Sequence, residues 1–341
     1  MTGLTIALDA MGGDFGPKVT VPATVQALSY FPSLKVVLVG NKPDITHQLV
    51  SLNYNNASRI SIVHAESSIG NDISPSQALR SSRGTSMRIA LELVADGSVD
   101  ACISAGNTGA LMALSRSLLK LLPGINRPAL VSALPTLGCH QSWLLDLGAN
   151  VSVNADTLFQ FAVMGSVLAE AQLGYKPSVG LLNIGEEAIK GNDLVKRCSE
   201  MLQQCSVVNY IGYVEGDQLY TGKANVIVCD GFVGNVSLKT SEGVAKLLLG
   251  SMNVHIAANP FKKLAAKCLF GDLFNMLNHL NPDQHNGASL LGLHGIVVKS
   301  HGRADVSAFQ HAIEEAVQEV ERQLPKKICD RLEAALLERQ Y

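Results

Sequence analysis

Short runs of Val, Ile and Leu recur near residues 4–8, 35–39, 59–63, 100–103, 143–147, 179–183, 206–211, 225–229 and 295–299, separated mainly by stretches of helical periodicity. Strands alternating with amphipathic helices read as βαβ units, so the pattern predicts an α/β fold on a mostly parallel sheet. Helices are expected over 18–30, 79–95, 107–121, 155–173, 192–204, 235–250 and 305–323. Two stretches break the rhythm. Arg127 to Leu147 holds two strand-like runs around a turn at 135–141, which predicts one antiparallel hairpin. Residues 254–280 read as one or two amphipathic helices, with an apolar stripe that includes Phe261, Leu264, Leu273 and Leu277 and with Lys262, Lys263 and Lys267 off it. Such a segment suits core packing, a dimer contact or an anionic membrane surface. Phe261, Leu264, Phe270 and Phe274 are its candidate membrane contacts.

The polar punctuation is as regular as the apolar runs. Four strands pass straight into a turn rich in Gly and Asn or Asp and then a helix: IALDAMGGD (6–14), CISAGNTGA (102–110), WLLDLGAN (143–150) and VIVCDGFVGN (226–235). In an open parallel sheet the carboxyl ends of the strands share one rim, so these turns are expected to converge on one crevice. Glycine lets backbone N–H groups approach a ligand and a helix N-terminus adds partial positive charge, a combination that favours phosphate. The candidate anion ligands are Gly12, Gly13 and Asp14, then Ser104, Gly106, Asn107, Thr108 and Gly109, then Gly231, Gly234 and Asn235. Lys239, one helical turn past Asn235, supplies a cation. For Asn107 and Thr108 the alternative is simple helix capping.

Asp9, Asp14, Asp146 and Asp230 sit at or just past strand ends. Three readings stand for them: holding the turns in shape, serving as a base or positioning the nucleophile, or binding a hard cation. Asp230 is the one carried as a catalytic candidate. In LLNIGEEAIKGND (181–193), Asn183, Glu187 and Lys190 follow a strand; Lys190 can offset substrate charge and Glu187 orient it, or the three form a solvated loop. His301 after the last strand is a natural proton donor near neutral pH.

Composition narrows the class. The chain has 341 residues, 47% hydrophobic and 16% charged, with a net charge of -2, which describes a well-buried globular protein without a global field for nucleic acid. Seven cysteines without a C-x-x-C spacing argue against a zinc or disulfide framework and fit a reducing cytosol. The N-terminus reads as a first strand rather than a signal peptide, since Asp9 closes the first apolar run and no basic segment precedes it. The longest apolar helical stretch, Thr157 to Ala169, falls short of the ~20 residues that span a bilayer. Neither G-x-G-x-x-G nor a P-loop occurs, which argues against dinucleotide or nucleotide chemistry.

The strings DAMGGD, SAGNTGAL, LLDLGAN, LLNIGEEAIKGND, VCDGFVGNVSLKTSEG and KSHG, in this order over nearly the whole chain, closely resemble the bacterial PlsX phosphate acyltransferase family. The resemblance implies an enzyme of phospholipid synthesis that converts acyl-[acyl-carrier-protein] and inorganic phosphate into acyl phosphate. It implies a single three-layer α/β/α Rossmann-like domain over 1–341, similar to isocitrate dehydrogenase-like and phosphotransacetylase folds, with 254–280 protruding; a lobe boundary near residue 150 is an expectation from the chain itself. It further implies a homodimer without cofactor, located in the cytoplasm and peripherally attached to the inner face of the cell membrane, feeding a membrane-bound glycerol-3-phosphate acyltransferase of the PlsY type. Within that chemistry Lys190, Lys239 and the 104–109 and 230–235 turns are the expected phosphate ligands. Gly12 and Gly13 would help the oxyanion, and His301 would protonate the departing sulfur. Arg80, Arg83 and Arg88 are candidates for docking the acidic carrier protein, or form an exposed basic helix face. Tyr213 and Asn225 depart from the family pattern. Rival readings are a CoA-dependent phosphotransacetylase, a metal-dependent decarboxylating dehydrogenase and a noncatalytic membrane scaffold.

Overall fold

The computed structural model describes residues 3–137, 141–257 and 286–338, except 55 and 57. The chain forms β1 (Thr5–Asp9), α1 (Pro17–Tyr30), β2 (Lys35–Gly40), α2 (Lys42–Ser51), β3 (Ile60–His64), α3 (Pro75–Ser81), α4 (Ser86–Ala95), β4 (Ala101–Ser104) and α5 (Thr108–Leu119). It continues with β5 (Ala129–Pro135), β6 (Gln141–Leu145), α6 (Ala155–Leu173), β7 (Ser178–Leu182), α7 (Asp193–Gln203), β8 (Asn209–Val214), β9 (Val226–Val228) and α8 (Gly231–Ala257). It closes with β10 (Ala288–Leu291), β11 (Ile296–Lys299), α9 (Val306–Glu321) and α10 (Leu324–Glu338). Of the amphipathic stretch, 254–257 end α8; the rest, with Phe261, Leu264, Phe270 and Phe274, lies outside the described residues, as do Cys139 and Cys268.

Helix starts follow from side chains that satisfy otherwise unpaired N–H groups. Asn41, Asn107, Asn154, Asn192 and Asp305 each accept a hydrogen bond from a backbone N–H three residues on, and Ser74 forms a capping box with Gln77. The helix expected over 79–95 is two helices, because Gly84 takes a φ of 78° and Thr85 restarts the chain in an extended conformation. The long apolar stretch 157–169 is the middle of α6, buried on every side. Among the described residues no helix is long and apolar enough to cross a membrane.

One sheet of 11 strands, ordered β3-β2-β1-β4-β11-β10-β5-β6-β9-β7-β8, runs through the molecule. The expected hairpin is present: β5 and β6 pair antiparallel, with Val131 opposite Leu145. Two further antiparallel contacts were not legible, since β10 runs against both β11 and β5. As a result β3, β2, β1, β4 and β11 point one way, while β6, β9, β7 and β8 point the other. This corrects the expectation of a single rim: the turns after β1 and β4 lie at one edge of the sheet, those after β6 and β9 at the opposite edge.

Alternation along each strand divides the core into two layers. Ile6, Leu8 and Val298 face Phe309 and Ile313 of α9, and Trp143, Leu145 and Val226 share the same side with Phe159 and Val163 of α6. Ala7, Cys102, Val297, Leu144 and Ile227 face the other way, toward Met87, Leu91, Leu111 and Leu114. On that second face α4 and α5 cover one end and α8 packs over β6, and among the described residues no element packs closely over β10 and β5. The gap is where the chemistry can happen.

Candidate active site

α8 joins the two edges. It begins just past β9 at one edge and runs back across the sheet face, carrying its cavity-facing stripe Asn235, Lys239, Glu242 and Ala245 toward the ends of β4 and β11. Its first turn is pinned by direct backbone packing. A Cβ at Gly234 would lie 1.9 Å from the carbonyl oxygen of Asp146, and one at Gly231 would lie 2.5 Å from that of Asn150. Asp230 caps this turn, its Oδ1 accepting from Val233 N–H at 2.9 Å. Asp146 holds the opposing loop, accepting from the N–H groups of Leu130, Ala149 and Asn150 at 3.0, 3.0 and 2.7 Å and from the Asn150 side chain at 2.9 Å.

Between α5 and α8 lies a cavity of about 640 Å³, within the range of small-molecule sites. Thr108, Ser300, His301 and Lys299 line one side; Gly148, Asn235 and Lys239 reach it from α8 and the loop after β6; Leu130, Leu134, Leu147 and Tyr220 complete the walls. Of the residues expected to hold the anion, Thr108, Asn235 and Lys239 are thus brought together, and His301, the expected proton donor, joins them. Lys239 is half exposed and its Nζ meets Glu242 Oε2 at 2.8 Å. His301 Nδ1 accepts from Arg303 N–H at 3.1 Å, which puts the proton of the neutral ring on Nε2.

The remaining candidates sit elsewhere. Ser104 is fully buried and donates to Asp9 at 2.7 Å while accepting from Gly106 N–H at 3.0 Å. Asn107 caps α5 and its amide donates to the carbonyls of Asn71 and Ile73. Gly109 packs against Pro75. These four positions build the turn that aims Thr108 and the α5 N-terminus. Gly12 packs on Asp9 and Gly106, Gly13 takes a φ of 82° against Gly302, and Asp14 donates its N–H to the Gly302 carbonyl and pairs with Arg303 at 3.4 Å. Gly12 shares a small depression with His301 beside the main cavity. Asn183 closes its own loop by donating to the carbonyls of Gly185 and Lys190, and Lys190 pairs with Glu187 at 2.8 Å, which raises the lysine above its ordinary value. Since β7 neighbours β9 in parallel, this loop opens on the same edge as Asp230. Arg80 and Arg83 are exposed on α3 and the link after it, whereas Arg88 on α4 is engaged by Glu92 at 2.7 Å.

The sequence reading passed over Lys299, and the structure gives it a distinctive setting. Its Nζ donates to the carbonyls of Ala105 and Ser300. Desolvation pushes it down to about 8, opposed by Asp9 and assisted by Lys239. Asp9, held up by burial, has one oxygen on Ser104 and the other buried without a hydrogen-bond partner among the described residues. The signal was present in the string KSHG, because a lysine closing an otherwise apolar strand IVV is an odd choice for a buried end. Asn225, one of the two departures from the family pattern, has a clear structural part: its Oδ1 accepts from both the N–H and the hydroxyl of Ser178, tying β9 to β7. Among the described residues no cluster of His, Cys, Asp and Glu suits a metal ion.

A wide mixed sheet with a cavity between two helix N-terminal regions defines a class of α/β proteins. The chain shares its fold with a phosphotransacetylase from Streptococcus pyogenes, at a TM-score of 0.63, 15% identity and coverage of 93% of this chain and 94% of that one. A branched-chain phosphotransacylase from Enterococcus faecalis V583 superposes at a TM-score of 0.56, with 14% identity over 93% and 99% of the two chains. The family model described as fatty acid synthesis protein matches residues 4–327. A phosphate acyltransferase of Photobacterium profundum is 69% identical over all 341 residues of both chains, and one of Aliivibrio salmonicida is 65% identical over the same length. The chain belongs to this family, the PlsX phosphate acyltransferases.

Proposed function

We propose that the protein transfers an acyl group from acyl-[acyl-carrier-protein] to inorganic phosphate. The observation that carries this reading is one cavity in which two lysines and a helix N-terminus face walls of leucine, an arrangement suited to an oxyanion beside an apolar acyl group. Phosphate held by Lys239, Lys299, Asn235 and the Thr108 end of α5 attacks the thioester carbonyl. The C–O bond forms, the C–S bond breaks, and the carrier thiolate leaves, taking a proton from Nε2 of His301 in its imidazolium form, while the attacking hydrogen phosphate releases its own proton to restore the ring. Holding phosphate against the carbonyl contributes proximity, and the cationic and N–H groups steady the developing oxyanion. Lys190 and Asp230, on the opposite edge, are assigned to meet the donor as it enters. Arg80 and Arg83 offer charge for an acidic carrier.

The product acyl phosphate would feed a membrane-bound glycerol-3-phosphate acyltransferase, with this protein acting as a cytoplasmic homodimer in peripheral contact with the membrane. Incubating purified protein with acyl carrier thioester and labelled phosphate, then trapping acyl phosphate as a hydroxamate, tests the reaction. Parallel incubation with acyl-CoA separates it from a phosphotransacetylase: turnover with acyl-CoA and none with the carrier thioester would overturn the donor assignment.

A further inference from the structure

Resting on the acyl-transfer reading, we propose that the cavity also measures the acyl chain. Its distal carbons lie between β5 and the cavity-facing stripe of α8, and Tyr220 forms the end wall.

The cavity is polarised across the strands. Lys299, Ser300, His301 and Thr108 gather at the ends of β4 and β11. Moving across β10 to β5, about 10 Å at the usual strand spacing, the lining becomes mostly apolar, with Ser132 between Leu130 and Leu134. Alternation puts Leu130 and Leu134 of β5 on the cavity face, while Val131 faces the opposite core layer. On α8, Leu238, Ala245 and Leu248 follow one another at helical spacing along the roof. Leu248 is 58% exposed and Val244 51%, so large apolar groups stand open beside a space that no described side chain fills. The leucines, Val244 and Ala245 suit an apolar occupant continuous with whatever reacts beside the lysines, with Thr240, Ser241, Glu242 and Lys246 on the rest of the lining. The acyl chain of the donor meets both conditions.

Tyr220 closes the far side. Its carbonyl accepts from Leu137 N–H at 2.9 Å, which anchors it just beyond the end of β5. Its hydroxyl is turned toward Ser241 of α8, so the ring stands between the floor and the roof. A wall held between the two sets a length, whereas a flexible one would give way.

The test compares octanoyl, palmitoyl and stearoyl carrier-protein thioesters at saturating phosphate, reading kcat/KM for each. Ala245→Trp, which fills the roof, is expected to lower the palmitoyl-to-octanoyl ratio on the order of tenfold or more while octanoyl turnover continues. Tyr220→Ala is expected to raise the stearoyl-to-palmitoyl ratio. Ratios unchanged within about twofold in a folded Tyr220→Ala protein would overturn the chain-measuring role and leave the reaction itself standing. Should Ala245→Trp fail to fold, the tyrosine variant decides alone, since it removes bulk from a partly exposed site. If the wild-type enzyme yields acyl phosphate from none of the three donors, the reading of the reaction falls and takes this inference with it.

Discussion

Asp9 and Asp146 occupy matching positions, each at or just after the end of a strand and fully or almost fully buried, yet they live different lives. Asp146 receives four hydrogen bonds from backbone and side-chain donors and closes a loop on itself. Asp9 receives the Ser104 hydroxyl, keeps one oxygen without a hydrogen bond among the described residues, and raises the proton affinity of Lys299. Burial raises both carboxyls above their ordinary values; Asp146 has close donors on both oxygens, whereas Asp9 has Ser104 close on one oxygen and only the looser approach of Ser86 and the Met11 and Gly12 N–H groups besides. A saturated buried carboxylate is a structural clamp. An unsaturated one beside a cation and a cavity keeps electrostatic influence over what binds there.

The sharpest way to break this contrast is through the clamp. Asp146→Asn keeps the shape but turns donor against donor on one oxygen, so it should cost about 2–3 kcal/mol or more of stability in denaturant unfolding. Gly234→Ala attacks the same contact from α8, with a Cβ placed 1.9 Å from the Asp146 carbonyl; a loss at or beyond the upper end of roughly 1–3 kcal/mol is expected. Asp9→Asn, by comparison, should leave stability within about 1 kcal/mol, since it removes a poorly paired buried charge. Equal losses for the two asparagine variants would sink the distinction.

Activity should reverse the order. Lys299→Met is expected to raise the phosphate KM roughly ten- to hundredfold, the worth of a charge-assisted contact at a desolvated site. Lys239→Ala should cost only a few-fold, because that ammonium is half exposed and already shared with Glu242. The sign of the pH effect follows from Lys299. Its ammonium is present below about 8 and is lost as pH rises through that value, so phosphate affinity should fall on the alkaline side. Asp9→Asn withdraws the negative charge that holds the ammonium on, and the fall should move to lower pH. A profile of phosphate KM that ignores both changes would remove Lys299 from the anion site.

The smallest effect sits beneath the cavity floor. Glu319 of α9 is fully buried against the Ser289 hydroxyl and pushed well above its ordinary range by desolvation and by Glu315. A raised carboxyl binds its proton more tightly in the folded state, so its stabilising proton is progressively less favourable as pH climbs above the unfolded value. Glu319→Gln should therefore flatten the decline of Tm between acid and neutral pH, which calorimetry across that range can read.

Most strands and helices could be placed from the chain alone because their apolar spacing and caps are local. The hairpin at 129–145 and the buried α6 belong to this class. Several elements escaped, α10 among them, and three show the physical reasons. β10 has only four residues and one of its two partners, β5, lies far back in the sequence, and α2 shows little apolar periodicity because only Ile45 is buried. The helix near 79–95 hid its break because a Gly followed by a Thr is compatible with either state until neighbours choose. At the candidate site, Thr108, Asn235, Lys239 and His301 were visible as turn and helix-start chemistry. Lys299 was not, because its character comes from desolvation and from Asp9, which lies far back in the sequence.

Sequence by itself determined the α/β alternation, the anion-friendly turns and the membership of a family, since each is written in residues adjacent along the chain. Which turns meet was decided by the tertiary structure. The antiparallel strands β5 and β10 reverse half of the sheet and put matching turns on opposite edges, and the backbone contact at Gly234 sets α8 across the gap. Only that crossing brings lysines from the two halves to one cavity, because distance and desolvation depend on how the strands pair and not on their order.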